Sequence, residues 1–265
     1  MMTDLLPAGI KSLILDMDGV LWKTDEPIGD LPAIFERIHA RGLKVAFATN
    51  NGTQTPDQYA ERLAKLGVAV EPWQVVTSAL GVANLLSHKF PSGGQIFAIG
   101  GQGVMAALRQ CGFELLSIEN APKAQAVVMG VDWQINYEKM REATLLVRRG
   151  VPFYATNPDK TFPTPRGEVP GAGAWIAVIV TATGIGPIYA GKPAPYLLDI
   201  ARERLGTTRE QTLVVGDRLE TDIGGGQAAG CRVALVLSGV SQLEQAQAWK
   251  PKVDVIARDL AQLVE

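Results

Sequence analysis

Short runs rich in Val, Ile, Leu and Ala recur along the chain. Between them lie longer stretches whose apolar residues return every three or four positions. The first pattern reads as buried strands and the second as amphipathic helices. Strands are expected at Leu13–Asp16, Lys44–Thr49, Gln95–Ile99, Ala126–Met129, Pro152–Ala155, Ile188–Ala190, Leu213–Gly216 and Val233–Leu237. Helices are expected at Leu31–Arg41, Pro56–Leu66, Val104–Cys111, Tyr137–Arg149 and Tyr196–Leu205. Gly42, Gly67, Gly112, Gly150 and Gly206 each follow a last turn, where a C-terminal stop belongs. Such alternation predicts parallel sheets covered by helices. Phe47-Ala48-Thr49-Asn50 is echoed by Tyr154-Ala155-Thr156-Asn157, each closing a strand-like run, which suggests two βα layers or two domains.

Composition narrows the class. With 265 residues, 47% hydrophobic and 20% charged, the chain can bury one large core or two smaller ones. A net charge of -2 argues against binding a nucleic-acid polymer, which needs a basic face. Cys111 and Cys231 lie far apart, so a reduced, cytoplasmic setting is expected. Met1 to Lys11 lacks a basic region followed by an apolar core, so no signal peptide is expected. No charge occurs between Glu168 and Lys192, but Pro170, Pro187 and several glycines interrupt that stretch. Its dense apolar part, Ala174–Val180, falls short of the ~20 residues that span a membrane, so a buried helix and then a buried strand are expected.

Four polar motifs fall at the ends of strand-like runs. They are Asp16-Met17-Asp18-Gly19-Val20-Leu21, Thr49-Asn50-Asn51-Gly52, Gly191-Lys192-Pro193 and Gly216-Asp217-Arg218-Leu219-Glu220-Thr221-Asp222. Strand side chains alternate with period two, so Asp16 and Asp18 are expected on one side of the first strand's carboxyl end. Two acids that close need a cation or a shared proton. A parallel sheet gathers all four motifs at one edge, where open α/β sheets bind ligands. The expected site holds the carboxylates of Asp16, Asp18, Asp217 and Asp222, the ammonium of Lys192, the Thr49 hydroxyl and the amides of Asn50 and Asn51. Carboxylate oxygens suit Mg2+, which also binds phosphate. Lys192 adds a point charge for an anionic substrate, and Thr49 with nearby loop amides can donate to phosphate oxygens. An aspartate can attack phosphorus, a second can serve as general acid and then base, and the metal and lysine lower the anion–anion repulsion.

In this order, DMDGV, ATNN, GKP and GDRLETD resemble the haloacid-dehalogenase-like (HAD) phosphatases, in particular the NagD-like, p-nitrophenyl-phosphatase-like and phosphoglycolate-phosphatase-like branch. The motifs run from Asp16 to Asp222, most of the chain. The resemblance implies an α/β fold, a doubly wound, Rossmann-type parallel-sheet core formed by residues 1–79 and 186–265, with an α/β cap domain inserted at 80–185. It implies Asp16 as nucleophile, Asp18 as acid/base, Thr49 and Asn50 as phosphoryl binders, with Asn51 facing either the substrate or only its own turn. Lys192 would neutralise charge. Mg2+ would be held by Asp16, the main-chain carbonyl of Asp18 and Asp217, with Asp222 in support. The reading is a Mg2+-dependent phosphatase of small phosphorylated metabolites: a phosphoglycolate, a sugar phosphate, a nucleoside monophosphate or a p-nitrophenyl phosphate-like ester. No membrane partner is expected, and a homo-oligomer is left open.

Other readings weigh less. A phosphotransferase, or a phospho-accepting regulatory domain without turnover, would share the Asp, cation, Thr and Lys, but a receiver domain needs only ~120 residues and no long insertion. A carbon dehalogenase needs neither the metal nor Asp18. Gly101-Gln102-Gly103-Val104-Met105-Ala106 fits G-x-G-x-x-A, yet no acid stands where ribose recognition wants one. Gly224-Gly225-Gly226 lacks the Lys-Ser/Thr of a phosphate loop, and is expected to let a helix approach closely. His39 and His88 are isolated, and no G-x-S-x-G occurs. Asn157, Asp159 and Lys160 precede a proline-rich loop (Pro158, Pro163, Pro165, Pro170) expected to line the substrate entrance, with Asn157 or Asp159 facing it.

Overall fold

The computed structural model describes residues 5–164 and 166–265. Pro165 and the first four residues, part of the stretch read for a signal peptide, lie outside the described residues. Contacts divide the chain into two compact units. Unit 1 comprises Met1–Thr49, Pro56–Val76 and Lys192–Glu265; unit 2 comprises Asn50–Thr55 and Thr77–Gly191. The segment Asn50–Thr55, expected with the first part of the chain, thus groups with unit 2.

Unit 1 is built on a six-stranded sheet ordered Val255–Ala257, Arg232–Val236, Thr212–Gly216, Ser12–Leu15, Lys44–Thr49, Val75–Thr77. Ser12–Leu15 pairs in parallel with Thr212–Gly216 on one side and Lys44–Thr49 on the other. Alternation along each strand feeds two cores. Leu13, Leu15, Val45, Phe47, Leu213 and Val215 meet the helices Leu31–Ala40 and Pro56–Lys65. Ile14, Ala46, Ala48, Val214, Val233 and Leu235 meet Tyr196–Leu205. The chain moves outward in both directions from Ser12–Leu15, so the strand order reverses between it and Thr212–Gly216. The carboxyl ends of these two strands flank the crevice where doubly wound sheets place ligands.

Unit 2 has a five-stranded parallel sheet ordered Ile188–Tyr189, Phe153–Ala155, Ala126–Met129, Gly94–Ile99, Phe113–Leu115. Helices Ser78–Lys89 and Gln102–Gln110 cover one face; Tyr137–Arg148 and Ala172–Thr183 cover the other. The uncharged stretch is thus a helix followed by a short strand, and no helix among the described residues is long and apolar enough to cross a membrane.

Two local expectations change. The proline-rich loop contains an antiparallel pair, Thr161–Thr164 with Gly167–Pro170. Extended backbone also stops at Leu15 rather than continuing through Asp18. The main-chain N–H groups of Val20, Leu21 and Trp22 all donate to Met17 O, and Gly19 takes φ +83°. The period-two argument for Asp16 and Asp18 therefore does not apply, because extended backbone ends at Leu15 and the chain winds into a tight turn from Met17 to Trp22 that contains Asp18.

Candidate active site

The carboxyl edge of the unit 1 sheet collects charge in an apolar setting. Lys192 is buried, and its Nζ donates to Asp16 Oδ1 at 2.7 Å, to Asp222 Oδ1 at 2.6 Å and to Ala48 O at 2.8 Å. These bonds join residues from three separate stretches of chain around one ammonium. Asp222 Oδ2 accepts from the main-chain N–H groups of Asp217 (3.2 Å) and Arg218 (3.0 Å). That bonding follows from local structure: Leu219–Ile223 forms a π-helical turn directly after the strand Thr212–Gly216, curling Asp222 back over the strand end.

Asp217 is held by the loop after the neighbouring strand. Val240 N donates to its Oδ2 at 2.8 Å. A Cβ at Gly19 or at Gly239 would stand 2.5 Å or 1.9 Å from Asp217 Oδ2, so both turns come close only because they carry glycine. Ser238 Oγ donates to Gly19 O at 2.7 Å and locks the two turns together. Asp217 Oδ1, by contrast, is buried without a hydrogen-bond partner among the described residues. Asp16, Asp217 and Asp222 bring carboxylate oxygens within 4.8 Å of one another.

The electrostatics express this crowding. Burial first, then Asp222 and Asp217, push the Asp16 carboxyl well above the usual range, against the pull of Lys192. Burial and Asp222 push Asp217 up to about 7, against the Val240 N–H. Burial by itself would lower Lys192, but Asp16 and Asp222 outweigh it and its pKa rises. Three carboxylates around one ammonium leave a negative surplus, which a buried site tolerates only by taking up protons or a cation.

Asp18 stands apart from the three converging carboxylates. Its Oδ1 accepts from Trp22 Nε1 at 2.9 Å. Burial raises its pKa, while the Trp22 bond and Arg62 draw it back. Thr49 is buried at the end of its strand and hydrogen-bonded to Tyr59, whose phenol burial pushes up.

Asn50 and Asn51 belong to unit 2, and there their side chains have structural partners. Asn50 Nδ2 donates to both oxygens of Asp159, at 3.2 and 3.1 Å. Its carbonyl accepts from Ser78 Oγ and from Asn157 Nδ2, the latter at 2.7 Å. The two asparagines of the sequence echo are therefore bonded to each other. Asn51 Oδ1 accepts from Thr53 N (3.1 Å) and Thr53 Oγ1 (2.6 Å), an Asx turn. The G-x-G-x-x-A turn is occupied by the protein itself. Gly103 N donates to Thr53 O at 3.1 Å, and a Cβ at Gly103 would lie 2.4 Å from Gly52 O. The glycine there admits the segment Asn50–Thr55. In the Gly224–Gly226 triplet, Gly226 packs against Val214 and Val233, and Gly225 against Pro193 and Leu198.

Sequence reasoning passed over Trp22, Tyr59 and the Ser238–Ser241 loop. The loop carried a usable signal, since it follows the expected strand Val233–Leu237 just as the other motifs follow theirs. Trp22 and Tyr59 carried none, because a buried aromatic at helical or strand spacing reads as core.

A model of the haloacid dehalogenase-like hydrolases matches residues 13–114, and a second, HAD-hydrolase-like model matches residues 189–263. An acid sugar phosphatase of Staphylococcus aureus is 37% identical over 237 residues, which are 89% of this chain and 90% of that protein. The chain belongs to the haloacid dehalogenase-like hydrolases. Among solved structures, this hydrolase is similar to a p-nitrophenyl phosphatase from Archaeoglobus fulgidus, with TM-score 0.88 and 30% identity over 96% of this chain and 98% of the other. It is also similar to a glycerol phosphate phosphatase from Mycobacterium tuberculosis in complex with magnesium, with TM-score 0.89 and 33% identity over 96% of this chain and 76% of the other.

Proposed function

We propose that this hydrolase is a Mg2+-dependent phosphoric monoester hydrolase acting on small phosphorylated metabolites through an aspartyl-phosphate on Asp16. One observation carries the reading: a buried ammonium, Lys192, bonded to both Asp16 and Asp222 beside the partnerless Oδ1 of Asp217. The donor set is all oxygen and carries surplus negative charge, which fits a hard divalent ion. Asp16, Asp217 and the main-chain carbonyl of Asp18 would hold that ion. Asp222, with both oxygens already hydrogen-bonded, would support them by orienting Lys192 and the Asp217 backbone. When bound, Mg2+ offsets the charge of the incoming phosphate.

The chain's own residues then divide the work. Lys192 holds Asp16 Oδ1 in orientation for attack on phosphorus and draws its carboxyl toward the ionised form against the effect of burial. Asp18 gives a proton to the departing alkoxide and takes one from the water that cleaves the acyl phosphate. Thr49 binds the phosphoryl oxygens, whereas the Asn50 amide is already engaged by Asp159. Unit 2 takes the cap role that selects the leaving group. The similar proteins that carry names act on a sugar phosphate, a glycerol phosphate or p-nitrophenyl phosphate, which supports small monoesters as the substrate class.

Phosphate release from a panel of sugar, polyol, carboxylate and aryl monoesters tests the proposal. Activity should vanish with EDTA and return with Mg2+. Asp16→Asn, which replaces a carboxylate by a poor nucleophile, should lower kcat by about 10⁴-fold or more. Near-normal turnover in that variant would overturn the assignment.

A further inference from the structure

Trp22 is the largest of the fully buried side chains and sits in a two-residue hairpin strand, Trp22–Lys23 paired with Glu26–Pro27. A tryptophan at a hairpin edge normally serves packing. Here its one side-chain polar atom reaches Asp18 at 2.9 Å, across the turn from Met17 to Trp22 that holds both residues. The ring has little freedom. Arg62, from the helix Pro56–Lys65, lies with its guanidinium 4.1 Å from the ring centroid. The same guanidinium bonds Thr24 O and stands 3.6 Å from Asp25, so it also clasps the hairpin that carries Trp22.

An indole N–H only donates. The carboxyl oxygen facing it must therefore accept, and cannot itself carry a proton toward the ring. We propose that Trp22 is a positioning residue for Asp18: its indole N–H fixes Oδ1 as the acceptor, so that the catalytic proton sits on Oδ2. This rests on the reading of Asp18 as the general acid. In the first half-reaction the Asp16–phosphorus bond forms, the bond from phosphorus to the substrate oxygen breaks, and the Oδ2 proton passes to the departing alkoxide. Arg62 holds the ring so that the proton is presented at one oxygen and in one direction.

The consequence is selective. A leaving group that departs as a stable anion needs no proton, whereas an alkoxide does. In Trp22→Phe, kcat/KM for glycerol phosphate should fall about 10- to 100-fold, and for p-nitrophenyl phosphate by less than about 3-fold. kcat/KM is the correct readout because it covers steps through loss of the alcohol and not the later hydrolysis shared by both substrates. Because a cavity at this buried position could unfold part of the sample, the 3-benzothienyl analogue of tryptophan at position 22 provides the second arm. It keeps the ring's shape and replaces N–H by sulfur, and it should show the same selective loss. Unfolding lowers both substrates together, so the ratio stays a measure of protonation alone. Asp18→Asn serves as the reference and should show the selectivity in larger measure. If Asp18→Asn is selective but both position-22 variants lose the two substrates equally, the positioning role is wrong and the phosphatase reading stands. If Asp18→Asn is itself unselective, Asp18 is not the acid and the positioning role falls with that assignment.

Discussion

The two units answer the same architectural problem and end with different chemistry. Each has a parallel sheet with helices on both faces, and in each the strand order reverses once. At the reversal in unit 1, between Ser12–Leu15 and Thr212–Gly216, the strand ends carry Asp16 and Asp217, joined by Lys192 and Asp222. At the reversal in unit 2, between Gly94–Ile99 and Ala126–Met129, the following turn is covered by the segment Asn50–Thr55 through Gly103. Nearby, Asp132 is satisfied locally by Lys139 at 2.7 Å and Gln134 N at 2.8 Å. A crevice at a strand-order reversal is thus an opportunity, not a function. It can become a reaction centre where charges are buried in unequal number, and a structural joint where the charged groups pair locally, as Asp132 does with Lys139.

The sharpest way to break this comparison is to remove the ammonium from each pair. Lys192→Met leaves Asp16 and Asp222 buried without their cation and should cost about 3–5 kcal/mol in urea unfolding, besides activity. Lys139→Met touches a partly exposed pair and should cost about 1 kcal/mol or less. Equal costs would mean that the two edges do not differ in the way argued.

A second test uses pH. Asp217 is raised to about 7 in the folded protein, and Asp16 is raised as well. The folded state therefore holds these protons more tightly than the unfolded chain, whose aspartates release theirs near 4. With EDTA present, the Tm should fall as pH rises from about 4 to about 7 and then level off. Mg2+ at neutral pH should restore stability, since a cation favours the ionised carboxylates that burial disfavours. A metal-free Tm that is flat or rising across this window would contradict the proposed charge surplus.

Asp159→Ala is the mildest probe. It removes the carboxylate that accepts twice from Asn50 and should destabilise the chain by about 1–2 kcal/mol. Hydrogen exchange should speed up at Asn50–Thr55 and stay unchanged along Ser12–Leu15. Faster exchange at both would show that the segment is not specifically fastened by unit 2.

Much of this was legible along the chain. Apolar runs of the right length gave most strands, and the four polar motifs stood at strand ends because a parallel sheet places loops there. The glycines after helices read correctly as stops: Gly42, Gly67, Gly112, Gly150 and Gly206 all take positive φ. Elements with weak patterns escaped. Ser78–Lys89 is a helix with buried residues on several sides, Phe113–Leu115 is only three residues long, and the hairpin over Thr161–Pro170 hides among prolines. Asn50 and Asp159 escaped for another reason. The sequence offers Asn50 as a phosphoryl binder and Asp159 as a candidate at the entrance loop, and only the fold reveals that they bind one another over more than a hundred positions.

The order of polar motifs along this chain settled which chemical groups would be available and in which family of hydrolases they belong, because strand ends and their loops follow from short-range patterning. The tertiary structure alone decided what each group does to its neighbours. Lys192 meets Asp16 across 176 positions of sequence, Asp217 keeps one oxygen without a hydrogen-bond partner among the described residues, and Asp18 accepts from the Trp22 indole. Those outcomes depend on burial and distance in three dimensions, and electrostatic energy is set by both.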